Sequence, residues 1–153
     1  MTSRNFREVV NRRAKFEYHA LQEFDAGIVL TGTEVKSLKD GNAHLSDAYC
    51  LFDRGELMLK SAHIAEYEHG NIHNHEPRRD RKLLLRKPEL RKLEKKVNEK
   101  GLTIIPFKFF ISERGHIKVK IWLAQGKKSF DKRETIKERD IKKDLERKKI
   151  YRL

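Results

Sequence analysis

Residues Leu102 to Ala124 constrain the fold more than any other stretch of the chain. The runs "LTIIPFKFFIS" and "HIKVKIWLA" flank "ERG", and in the second Ile117, Val119, Ile121 and Leu123 alternate with Lys118, Lys120 and Trp122. A period of two sends successive side chains to opposite faces, so the pair predicts a β-hairpin with one face turned to a core. Pro106 has no N–H to give to a ladder and is expected at an edge or bulge. A second hairpin is predicted from "AYCLFD" and "ELMLKSAHI" around Arg54-Gly55. The run "FEYHALQEFDAGIVL" alternates and then slips near Leu21, as one bulged strand or two strands would. Six or seven short strands result.

Helical signals fall between these runs. Thr33 is placed to cap "TEVKSLKDG", with Glu34 at the positive end, Lys36 and Lys39 toward the negative end, Val35 and Leu38 facing inward, and Gly41 as the stop. "KPELRKLEKKVNEKG" carries Pro88 at an opening position, Leu90, Leu93 and Val97 three and four apart, and Gly101 past the end. A third short helix is expected within Asn5 to Ala14. Many short strands with a few interposed helices predict a mainly β fold with α: a partly open barrel of the oligonucleotide-binding type with about three helices.

Charge then limits the partners. The formal net charge is +13, and 28 residues from Gly126 to Leu153 hold +6 of it, with twelve Lys or Arg against six Asp or Glu. In that tail Ile136, Ile141, Leu145, Ile150 and Leu153 scatter around a helix instead of forming a stripe, so no face is apolar enough to bury. Pairs such as Glu138 with Lys142 and Asp144 with Lys148 support a helix by only about 0.2–0.5 kcal/mol each. The reading therefore divides the chain into a barrel over residues 1–125 and a basic tail over residues 126–153 that orders on a polyanion. No apolar run is long enough to span a membrane. Cys50 is the single cysteine, which excludes an intramolecular disulfide and a cysteine-based zinc site and points to a reducing cytoplasm. Glu8 and the prompt start of folded-looking sequence argue against reading the Arg-rich start as a transit peptide.

One segment raises an enzymatic alternative. In "AHIAEYEHGNIHNHEPRRDR", His63, His69, His73 and His75 with Glu68 and Glu76 could bind a metal for phosphodiester cleavage, making a metal-dependent ribonuclease. Their spacing matches no specific site and the HExxH order is missing, so turn-capping or phosphate-facing histidines are the simpler account. Asp25 and Glu34 read as cap or ion-pair carboxylates, and neither a catalytic group nor a cofactor is called for. The run "RRDRKLLLRK" sets Arg78, Arg79, Arg81, Lys82, Arg86 and Lys87 around Leu83 to Leu85, a phosphate-positioning patch with apolar groups for unstacked bases.

Together "NRRAKFEY", "FDAGIVLTGTEVKSL", "YEHGN", "RRDRKLLL" and "GKKSFDKRETIKERD" resemble the small protein B family, the transfer-messenger RNA-binding proteins of bacterial trans-translation. The resemblance runs from about Asn11 to Asp140. It implies a monomeric barrel that grips the tRNA-like domain of transfer-messenger RNA near its elbow and, carried by elongation factor Tu through the RNA, enters a stalled ribosome. Matching RNA-contacting positions are Asn11, Tyr18, Asp25 and Leu84, with basic support from Arg12, Lys36 and Lys82. The tail, through Lys127, Lys128, Phe130, Asp131, Lys132 and Arg133, would enter the decoding centre and vacant mRNA channel and become helical against small-subunit rRNA. Asp25 stands where the family often has Glu, Phe130 where His or Tyr is frequent, and Gln125 where a basic residue usually precedes "GKK".

Overall fold

The computed structural model describes residues 6–70, 73–127, 133 and 136–143. Among the described residues, strands and helices follow in the order β1 (Val9–Val10), α1 (Arg12–Glu17), β2 (Tyr18–Ile28), α2 (Gly32–Lys39), β3 (Ala43–His44), β4 (Tyr49–Asp53), β5 (Glu56–Lys60), β6 (His63–Ile64), β7 (Arg81–Leu84), α3 (Lys87–Lys100), β8 (Thr103–Ile111) and β9 (Ile117–Gly126), with a further helical stretch over residues 136–143. Neighbouring strands run β8-β4-β5-β7-β2-β9, and the β8–β9 hairpin closes the ring, while β1 joins β8 from outside and β3–β6 form a separate ribbon. The ring is thin at two joints. β4 meets β8 only at Cys50↔Ile104, and β2 meets β7 only at Gly27↔Leu84 and Ile28↔Leu83. A partly open barrel is the outcome.

Local irregularities fall where the chemistry of the chain requires them. Pro106 marks a register shift in β8 before Lys108, and the slip in β2 lies between Ala20 and Gln22, which leaves Leu21 outside the ladder and exposed. Arg54 and Gly55 both have positive φ, 53° and 81°, the pair a two-residue turn of the hairpin-favouring type needs.

Inside the ring, Val119, Ile121 and Leu123 of β9 pack with Phe24, Ala26, Leu57, Leu59, Leu83, Ile104 and Phe109, and Leu93 of α3 joins them. β8 and β9 also bury part of their outer faces. There Ile105, Trp122 and Ala124 meet Ala14 of α1, and the Phe107 and Trp122 rings stack at 4.3 Å. Such a ring pair adds about 0.5–1.5 kcal/mol beyond area burial. Ala14 seats α1 on this cluster.

Two expectations change. The first helix starts at Arg12, later than the expected Asn5–Ala14 span, because Val9 and Val10 pair with Phe109 and Lys108 and Asn11 caps the turn that follows. The cap of α2 is Thr31, not Thr33: its hydroxyl accepts from the Glu34 N–H at 3.4 Å while Glu34 accepts from the Thr31 N–H at 2.8 Å. α3 follows expectation, with Pro88 in its first turn and Gly101 left-handed at φ 60° beyond its end. In the tail, residues 136–143 form about two turns of helix. Among the described residues no helix is long and apolar enough to cross a membrane.

Candidate nucleic-acid interface

The basic run before α3 divides between inside and outside. Arg79 and Arg81 both reach Glu34, which α2 holds fully buried in its first turn. Arg81, itself buried, donates in addition to the Ala62, Arg79 and Pro77 carbonyls, at 2.9, 3.1 and 3.0 Å. Burial alone would raise the pKa of the Glu34 carboxyl, but hydrogen bonds from Arg79, the Thr31 N–H and Arg81 outweigh it and hold the pKa below its ordinary value. These two arginines are therefore structural and leave the phosphate patch predicted for them. Arg78 donates to the Ser61 carbonyl at 3.3 Å, and Lys82 pairs with Glu56 at 3.1 Å, both on the surface.

Alternation along β7 turns Leu83 inward and Leu84 outward, 49% exposed. Opposite Leu84 lies Gly27 of β2, where an added Cβ would stand 3.3 Å from the Leu84 Cβ, so the missing side chain is what lets Leu84 lie flat. These residues, with Asp25, Arg86, Lys118 and Lys120, line an open groove of ≈ 910 Å³. Lys120 reaches Asp25 at 3.3 Å and Glu23 at 3.8 Å, and its ammonium also lies 5.7 Å from the Phe110 ring. The groove combines the apolar Leu84 with the carboxylates of Glu23, Asp25 and Glu89 and the cations of Arg86, Lys118 and Lys120, a set that suits a nucleotide: base against Leu84, ribose hydroxyl or base edge to Asp25, phosphate to a cation. Lys118, Lys120 and Phe110 were missed from sequence. Their one signal was register, since Lys118 faces both Gly27 and Phe110 across its two neighbouring strands.

The other predicted residues are placed elsewhere. Asn11 is buried: its carbonyl accepts from the Ala14 N–H at 3.2 Å and its amide donates to the Pro106 carbonyl at 3.0 Å. Its side chain thus helps to seat α1. Tyr18 ends α1 and lines a hollow of ≈ 370 Å³ with Asn11, Ala48 and Thr103. Arg12 is exposed on another side of α1. Lys36 extends from α2 over the Tyr67 ring at 5.3 Å. So the structure brings Asp25 and Leu84 together and separates them from Arg12 and Lys36. In the tail, Lys127 donates from its backbone to the Glu17 carbonyl at 2.8 Å and from its ammonium to the Lys15 carbonyl at 3.0 Å, closing the C-terminal end of α1. Arg133 is exposed, and Lys128, Phe130, Asp131 and Lys132 lie outside the described residues.

The histidine segment does not converge. His75 is buried, its Nε2–H directed to the Ile64 carbonyl at 2.8 Å and its Nδ1 accepting from the Thr33 hydroxyl at 2.8 Å. His63 stacks on His44 at 4.5 Å, and burial, then the neighbouring His44, Arg78 and Arg81, lower its pKa. His69 packs edge-on to Tyr67, and His73 is exposed. Among the described residues no three His, Cys, Asp or Glu side chains gather as a metal requires, so the ribonuclease alternative gains no support. Cys50 is buried, and its surroundings push the thiol pKa upward, away from reactivity.

The chain is similar to known proteins along most of its length. A family model described as SmpB protein matches residues 8–150. The SsrA-binding protein of Desulforamulus reducens is 53% identical over 90% of this chain and 85% of its own length. That of Parabacteroides distasonis is 51% identical over 92% of each. Among solved structures, a chain of "tmRNA-SmpB: a journey to the center of the bacterial ribosome" superposes with a TM-score of 0.68 at 47% identity, covering 84% of this chain and 94% of that one. Matched by the family model across nearly its whole length and folded like a solved relative, this chain belongs to the SmpB protein family.

Proposed function

We propose that the protein binds the tRNA-like domain of transfer-messenger RNA and delivers it to stalled ribosomes for trans-translation, as an RNA-binding factor and not as an enzyme. Family membership over residues 8–150 carries this reading. The groove between β2, β7 and β9 supplies the grip. Leu84 covers an unstacked base or sugar, and Asp25, which would repel phosphate, accepts from a ribose hydroxyl or a base N–H. Lys118 and Lys120 take the adjoining backbone, with Lys82 and Lys36 giving weaker, longer-range attraction. Asn11, which also seats α1, and Tyr18 at its end extend the RNA-contacting surface, with Arg12 in basic support.

The protein works in the cytoplasm as a monomer on the RNA, and elongation factor Tu reaches it through that RNA. Lys127, Lys128, Lys132 and Arg133 meet rRNA phosphates where the tail enters the decoding centre, Phe130 offers a stacking face there, and Asp131 breaks the positive run. A gel-shift titration of transfer-messenger RNA against ordinary tRNA at one fixed salt concentration tests the reading. Preference for transfer-messenger RNA is expected; equal binding of both would contradict it.

A further inference from the structure

The ribbon of β3 and β6 lies apart from the ring and is joined by a pair of histidines. Its ladder sets Ala43 opposite Ile64 and His44 opposite His63, and the two imidazole rings stack 4.5 Å apart and 9° from parallel. His44 is exposed. The Nδ1 of His63 is buried and has no hydrogen-bond partner among the described residues. The site therefore suits a neutral ring that carries its proton on Nε2, because a proton on Nδ1 would make a buried, charged N–H with no acceptor.

The surroundings also oppose a proton. From the elements packed against it, His63 feels Arg78 and Glu76 of the segment before β7, Arg81 of β7, and His44 across the ribbon. Glu76 is the one carboxylate in this set, and it accepts from the Arg78 N–H at 3.2 Å. Arg78 lies 3.8 Å from Asp47 and Arg81 is paired with Glu34. Burial first, then His44 and the two arginines, hold the His63 pKa below its ordinary value, with Glu76 opposing them.

The ribbon moors the long segment that leads to β7. Ile64, fully buried, donates its N–H to the Pro77 carbonyl at 3.0 Å, and Ala65 donates to the Asn42 carbonyl at 2.9 Å. His75 reaches the Ile64 carbonyl at 2.8 Å, and Arg81 reaches the Ala62 carbonyl at 2.9 Å. Loosening here is passed to the start of β7.

We propose that the His44–His63 stack is a proton-operated latch, which closes the ribbon while both rings are neutral and loosens it when protons are taken up. A proton on His63 meets two arginines and lacks an acceptor, and one on each ring puts like charges directly opposite across the ladder. Opening gives the charged rings to water. Because the closed ribbon holds His63 below the ordinary histidine value of about 6.5, the latch is complete above that value and is lost as pH falls toward the folded one.

Hydrogen exchange of the full-length protein, corrected for the intrinsic rate and followed from about pH 7.5 to about pH 5.5, spans the histidine range and stays above the carboxylate range of Glu34. Protection of the Ile64 and Ala65 amides should fall by up to about tenfold per pH unit for each proton taken up, while that of Val119 and Ile121 in the barrel holds. His63→Phe keeps a ring in the stack but takes no proton, so protection at the two ribbon amides should become level with pH. His44→Phe, at an exposed position, should make the fall shallower. Level protection in the unmodified protein overturns the proposal, as does an unchanged fall in either variant, which would leave His75 as the group responsible. No RNA enters the measurement, so its outcome is independent of the transfer-messenger RNA reading.

Discussion

Glu34 and Leu84 stand at opposite ends of what a single side chain does here. Glu34 joins α2 to the segment before β7 through two arginines, and removing its charge leaves Arg81 buried without a counter-ion. Glu34→Gln should cost about 3–5 kcal/mol in a urea titration, the range for breaking a buried pair from one side. Because the folded pKa of Glu34 is below its unfolded value, the contribution is complete above the unfolded value of about 4.3 and is lost as pH falls through the folded one. The unmodified protein should therefore lose stability on acidification in that window more steeply than Glu34→Gln does. Leu84, half exposed, has little structural duty. Leu84→Asp should weaken transfer-messenger RNA binding while circular dichroism and melting stay as they were, and an unfolded variant would return Leu84 to the core.

At the scale of elements, the sequence was legible wherever the cause is local. Both hairpins, the slip at Leu21, the bulge at Pro106 and the stop at Gly101 depend on residues within a few positions of one another. The cap of α2 moved by two residues because threonines stand at both positions, and the choice was made by a distant partner: Thr33 is engaged by His75, 42 residues away. The same distance hid the fate of Arg79 and Arg81, whose carboxylate lies 45 and 47 residues back. Their charge read as surface because a buried ion pair has no short-range signature. In the proposed site, Asp25 and Leu84 come from the family resemblance, whereas Lys118 and Lys120 needed the strand register. Thr31→Ala should cost about 1 kcal/mol as a lost cap. Thr33→Val should cost about 1–3 kcal/mol by leaving the buried His75 Nδ1 without a donor. Urea midpoints at constant slope check both.

For the whole molecule, the buried core draws on no residue of the helix at 136–143. The described part of the tail touches the barrel through Lys127 at the end of α1 and Arg139 over Phe16. Deleting residues 128–153 removes the Arg139–Phe16 contact, and stability should fall by less than about 1 kcal/mol, the worth of an exposed cation–ring pair. The truncated protein should melt cooperatively and keep most of its affinity for transfer-messenger RNA, since the Asp25–Leu84 groove remains. Tagging of nascent chains on ribosomes stalled at the end of truncated message, measured in vitro beside RNA binding, tests the division of labour most directly. Loss of tagging with binding retained is the predicted result; full tagging by the truncated protein would contradict the account.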